Sequence, residues 1–125
     1  MKATKLLLSI CLFQGLICLS NLHAGFDNGG TFQSNNLNIN TTDLNNTGKM
    51  IGQNSVNIEC DKFTGNGYVK GPLISIKAKE FLYTGTIECS GECLIITQKP
   101  FKHTMFKKAG PGIFKFEVQE NWQPS

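Results

Sequence analysis

Few side chains in this chain of 125 residues have the chemistry to hold a metal or break a bond, and their spacing decides how each one reads. Cys89, Cys93 and His103 would offer three zinc ligands, and Cys60 a fourth. A Cys-x3-Cys pair without a second matching pair is poor metal spacing, and the repeat described below sets Cys60 on a different corner. A cysteine–histidine nucleophile reads no better, because His103 is the only histidine after residue 24 and lies where the repeat decays. Glu59, Asp61 and Glu80 are the acids suited to proton transfer on a sugar. Each has a lysine at the equivalent place one repeat away, so a solvated charge ladder accounts for them. Isolated carboxylates without a cleft do little acid–base chemistry. Gly65-Asn66-Gly67 and Gly110-Pro111-Gly112 precede no helix, which phosphate-cradling loops require. The expected catalytic, cofactor-binding and metal sets are therefore empty.

What must position any site is a repeat. Leu37, Ile39, Leu44, Gly48 and Met50 recur as Val56, Ile58, Phe63, Gly67 and Val69, and again as Ile74, Ile76, Phe81, Gly85 and Ile87. Within each set the offsets from the first residue are 2, 7, 11 and 13, and the sets begin 19 and then 18 residues apart. A fourth set is read as Leu94, Ile96 and Phe101, with Met105 in place of the glycine and Lys107 in place of the last apolar residue. Phe26, Gly30 and Phe32 match the second half of an earlier unit. Self-similarity at this period belongs to solenoids, in which a unit buries its apolar face only against its neighbours.

No period of 3.6 fits these offsets, so the units are strands and turns. The apolar pair at offsets 0 and 2 faces one side of a strand, and the glycine at offset 11 permits a bend. Each strand then pairs in parallel with its equivalent one unit later. The outward positions support the same register: Asn57 falls beside Asn38, Lys77 beside Glu59, Lys79 beside Asp61, and Asp43, Lys62 and Glu80 form one column. Every neighbouring charged pair in these columns is opposite in sign, and each such pair contributes roughly 0.2–1 kcal/mol. A small β-sandwich would explain the alternation but not the matched offsets.

Length varies only at the corner between offset 13 and the next unit, in 51–55, 70–73 and 88–93. Loops on a rigid scaffold carry binding, so Gln53, Asn54, Lys70, Glu88, Ser90 and Glu92 form the candidate binding corner. The third turn is bracketed by Cys89 and Cys93, and a disulfide between them is expected in an exported protein.

Export is expected from residues 1–24. Lys2 and Lys5 give a positive start, Leu6 to Leu19 is mostly apolar, and Ala24 ends the pattern of a secretory signal too short to span a bilayer. Beyond it lie ten lysines, no arginine and nine acids, a nearly neutral balance that argues against a nucleic-acid partner. No later stretch is apolar enough for a membrane span.

The segments LNINTTDLNNTGKM (37–50) and ISIKAKEFLYTGTI (74–87) resemble the roughly 19-residue repeats of the filamentous haemagglutinin family of bacterial exoproteins. That resemblance covers residues 26–101. It implies a right-handed parallel β-helix, a bacterial source, and an adhesive or surface-structural role.

The expectation is thus an all-β chain: a signal peptide at 1–24, a short right-handed parallel β-helix of about four to five coils at 25–101, and a C-terminal cap at 102–125 with a capping strand. Trp122 is placed over the last coil. The expected role is non-enzymatic, in surface attachment, interaction or envelope structure, with a host or envelope surface protein or a glycan as partner. A small carbohydrate-binding or carbohydrate-modifying β-helix is the other reading. The expected location is secreted, periplasmic or at the cell surface.

Overall fold

A computed structural model describes residues 9–12, 16–22 and 25–120, with side chains placed from 25 to 120. The chain is all-β and folds as a parallel β-solenoid of about five coils. In chain order the strands are β1 (Ser9–Leu12), β2 (Leu16–Leu22), β3 (Phe26–Asn28), β4 (Thr31–Thr41), β5 (Asp43–Asn46), β6 (Lys49–Thr64), β7 (Tyr68–Phe81), β8 (Thr86–Thr97), β9 (Lys107–Ala109) and β10 (Ile113–Val118). The main path of the sheet runs β1-β2-β4-β6-β7-β8-β10, and every pairing along it is parallel except β1 with β2. A sandwich of hairpins would need antiparallel neighbours throughout, so that alternative falls.

The register follows the repeat residue by residue. Leu37 pairs with Val56 and Val56 with Ile74; Ile39 pairs with Ile58 and Ile58 with Ile76; Leu44 pairs with Phe63 and Phe63 with Phe81. These columns are the core, and all nine side chains are buried. Fully burying a large apolar side chain stabilises by roughly 1.5–3 kcal/mol, so the columns dominate the stability of so small a fold. Each coil alone has nothing to bury against, and order in one rung depends on the next.

The glycine at offset 11 has a steric cause. A Cβ on Gly67 would lie 2.2 Å from the carbonyl oxygen of Gly48, so the backbone turns there in direct contact with the rung before it. At Gly65 the backbone takes a φ of +119°, which disfavours any side chain.

The fourth set sits one residue earlier than the offsets indicated. Ile74 pairs with Cys93 and Ile76 with Ile95, so Cys93 and Ile95 fill the core columns that had been given to Leu94 and Ile96. A slip of one residue exchanges the two faces of a strand. Cys93, among the smallest of the apolar side chains, is fully buried, while Leu94 is half-buried on the other face. The later positions shift as well: Thr86 pairs with Lys107 and Ile87 with Lys108, so Phe106 rather than Met105 occupies the glycine column. Among the described residues no further coil lies above it, and its ring turns inward, 5.3 Å from that of Phe81.

The C-terminal segment continues the stack. β9 and β10 both pair in parallel with β8, and Phe114 and Phe116 extend the columns of Cys93 and Ile95. At the other end, β2 pairs with β4 so that Ile17 faces Leu37 and Leu19 faces Ile39. The half-unit read from Phe26, Gly30 and Phe32 thus has its first half in the segment expected to be a leader. Trp122 and Ala24 lie outside the described residues.

Candidate functional site

The corner between offset 13 and the next unit is a stacked surface, as the length variation indicated. β8 carries Glu88, Ser90 and Glu92 through the turn, and Lys70 pairs with Glu88 across it. Gln53 and Asn54 occupy the same turn one coil earlier, where the β6–β7 register shifts between Ile51 and Val56. Gln53, Asn54, Lys70, Ser90 and Glu92 are exposed, and Glu88 is half-buried. The six residues therefore share one ridge along the stack.

Two of them are fixed by contacts. Tyr68 donates its hydroxyl to the Glu88 carboxylate. That hydrogen bond, then burial and the carboxylate charge, push the Tyr68 phenol up to about 12. Glu92 pairs with the ammonium of Lys115 at 2.6 Å, and that contact raises the Lys115 pKa. Beside Glu92 on the one side lies Leu73 and on the other Ile113, its two partners in register. Leu73 is 55% and Ile113 63% exposed, so the ridge presents two large apolar side chains flanking a charged pair. Offset reasoning passed over both, because Leu73 sits in a turn and Ile113 beyond the last complete unit. Their signal was a large aliphatic residue at a position outside every core column.

The disulfide expected between Cys89 and Cys93 is not formed; Cys60, Cys89 and Cys93 are all free and buried. Each thiol is committed to the interior. Cys89 stands opposite Gly71 in a column of small residues, its Sγ 3.6 Å from the carbonyl oxygen of Pro72. Cys93 fills the column of Ile74. Cys60 is also a core residue, beside Ala78, and not a turn residue. Burial pushes the Cys93 thiol up to about 12, and burial first, with Asp61, Asp43 and Glu59 nearby, drives that of Cys60 higher still. Protonated, buried thiols are poor nucleophiles and poor metal ligands. Among the described residues no three histidine, cysteine or acidic side chains gather as a metal site.

His103, weighed with the cysteines in the sequence, lies in the cap, its ring stacked on Phe116 at 3.9 Å between centroids.

The acids lie on the outer ladders. Glu59 pairs in register with Lys77, and Asp43 with Lys62. Glu80 is held by Lys99 at 2.9 Å and by Lys62 at 3.9 Å. The hydrogen bond and charge of Lys99 keep its carboxyl below the usual carboxylate range, so it stays ionised and cannot donate a proton near neutral pH. The asparagine ladder is formed too: the Asn57 amide donates to Asn38 at 2.8 Å.

A second concavity was invisible to the repeat arithmetic. Between the last coil and the cap lies an open cleft of about 290 Å³, floored by Phe81, Leu82, Phe101 and Met105 and edged by Lys99 and Lys102. Glu80, Phe81 and Leu82 bring the third unit to it, and the rest of its walls comes from 99–105, where the pattern decays. The cleft accepts a small apolar group; Glu80 lines it too and is paired with Lys99, so its edge carries both signs of charge.

No protein-family model matches this chain, and no curated protein or solved structure matches it significantly.

Proposed function

We propose that this chain is an exported, non-enzymatic β-solenoid that attaches to a surface protein or glycan of a host or of the bacterial envelope, after removal of residues 1–24. The observation that carries the reading is the corner ridge, where Leu73 and Ile113 stand exposed on either side of the Glu92–Lys115 pair. Apolar side chains on either side of a charged pair on a stiff backbone suit a protein contact, with the apolar groups as anchors and the paired charges fixing orientation between them. The likeness of segments 37–50 and 74–87 to haemagglutinin-type repeats supports an adhesive role, a bacterial source and a location outside the cytoplasm.

The test is adhesion of the purified exported protein to intact bacterial envelopes and to epithelial cells, with the double variant Leu73→Ser/Ile113→Ser beside it. The proposal expects the variant to keep its β spectrum and lose binding at least tenfold. Equal binding by both forms contradicts it.

The cleft supports a second reading, a small carbohydrate-binding or carbohydrate-modifying protein, because the exposed Leu82 and the half-buried Phe101 ring offer apolar surface next to the Glu80–Lys99 pair. Glycan binding and cleavage measured with Glu59→Gln, Asp61→Asn and Glu80→Gln variants separate the two. Activity unchanged in all three removes the modifying enzyme.

A further inference from the structure

The two ends of the solenoid are protected very differently. A solenoid end exposes the last core layer and a row of unpaired backbone groups, and such an edge invites pairing with another chain unless charges or an inward cation block it. The C-terminal end carries that block. Lys108 occupies the inward column of Ile87, and its ammonium lies 5.2 Å from the ring centroid of Phe106 and 5.8 Å from that of Phe116. Stacking another coil there would bury this charge. Lys107, Lys115 and Glu117 add further charge on the same end strands.

The N-terminal end carries less charge: exposed Asp27 on β3 is the one charged residue of its end strands β3 and β4. From Asn28 to Thr42 the sequence contains no charged residue, and this stretch includes all of β4. In the full chain β4 is covered by Leu16–Leu22, in which Ile17 and Leu19 pair in register with Leu37 and Ile39. If residues 1–24 are a leader that export removes, that rung departs. The β4 edge and the Leu37–Ile39 layer are then left open, with no charged residue on β4 itself.

From this we infer that the processed chain forms a closed dimer of two copies joined through their N-terminal ends, β4 against β4; the inference rests on the leader reading given above. Two identical edges related by a two-fold axis meet antiparallel, and such a contact is self-limiting. A head-to-tail filament would instead require the C-terminal end, which Lys108 closes. With the axis near Asn38, the two β4 strands set only uncharged side chains opposite one another, Asn36 opposite Asn40 of the second copy. The Asn38 carboxamide already accepts from Asn57 with its oxygen, and its nitrogen is left to donate into the vacated rung. The two-fold contact gives that donor an asparagine partner and places Leu37 and Ile39 against their counterparts.

The test expresses the full chain in a secreting bacterial host and examines the exported product. Intact mass shows whether residues 1–24 are gone, and light scattering after size exclusion gives the mass in solution. The inference expects a processed product at twice its own chain mass, and expects Asn38→Lys to weaken the dimer at least a hundredfold with an unchanged far-ultraviolet spectrum. Asn38→Asp, which keeps the acceptor for Asn57 and sets two carboxylates together at the axis, serves as a second variant should Asn38→Lys fail to fold. A processed product that stays monomeric at 100 µM overturns the dimer and leaves the leader reading standing. An exported product that retains residues 1–24 overturns the leader reading, and the dimer with it.

Discussion

Phe63 stands in register with Phe81 on the next rung, with their rings meeting edge to face at 5.6 Å between centroids. Tyr83 stacks on the same Phe63 ring at 4.6 Å, and Phe81 passes the contact on to Phe101 and Phe106 in the cap. One aromatic column therefore ties the middle of the solenoid to its C-terminal end.

Truncation at the centre of that column should be severe. Phe63 is fully buried, so Phe63→Ala is expected to cost about 3–5 kcal/mol. Urea unfolding followed by circular dichroism measures it, and a loss below 1 kcal/mol would show that the column is not the core.

The glycines should separate into two groups. A Cβ on Gly67 would meet the Gly48 carbonyl oxygen at 2.2 Å, whereas one on Gly30 would meet nothing within 4 Å. Gly67→Ala is expected to destabilise by about 2 kcal/mol or more, and Gly30→Ala to stay within about 0.5 kcal/mol of the parent. Melting temperatures of the two variants, side by side, check this. Equal effects would mean that the turn is not packed against the rung before it.

Alkaline pH should destabilise the fold. Burial raises Cys93 from 9.0 to about 12, and the Glu88 hydrogen bond raises Tyr68 from 10.0 to about 12. Both groups stay protonated in the native state while the unfolded chain loses its protons. Their contribution is thus complete below about pH 9 and drains away as pH rises toward 12. Equilibrium unfolding between pH 7 and 11 should show a falling midpoint above pH 9, and a flat profile would mean that these groups are not buried or bonded as described.

The thiols offer a separate readout. Cys60, Cys89 and Cys93 are buried and unpaired, so a thiol reagent at pH 8 should react slowly with the native protein and rapidly once it is denatured. Finding Cys89 and Cys93 linked in the peptide map of the exported protein would contradict their free state.

Much of the architecture was legible because a solenoid writes its contacts into sequence spacing. Val56, Ile58 and Phe63 recur as Ile74, Ile76 and Phe81, and a shared spacing is all that parallel stacking requires. The reading slipped where the period changed silently. Leu94 looked like the next member because it is the larger aliphatic residue, yet the corner between Cys89 and Cys93 closes one residue earlier and leaves Cys93 facing in. The same assumption, that a cysteine beside a turn belongs to the turn, produced the expected disulfide. Tyr83 escaped notice because it lies between two repeat positions, Phe81 and Gly85; its ring stacks on Phe63, and a Cβ on Gly85 would meet its hydroxyl at 2.6 Å. The candidate corner was visible as the place where length varies. Its apolar anchors and the cap cleft were not, because the anchors lie off the repeat and the cleft depends on how the last coil closes.

Nuclear Overhauser contacts in the purified protein test the central claim, rungs stacked in parallel and in register, most directly. Contacts are expected between the side chains of Asn38 and Asn57, Ile58 and Ile76, and Phe63 and Phe81, with the amide-to-α-proton pattern of parallel strands. Close α-proton to α-proton contacts between these segments, the mark of antiparallel pairing, or no contact between Phe63 and Phe81, would contradict it.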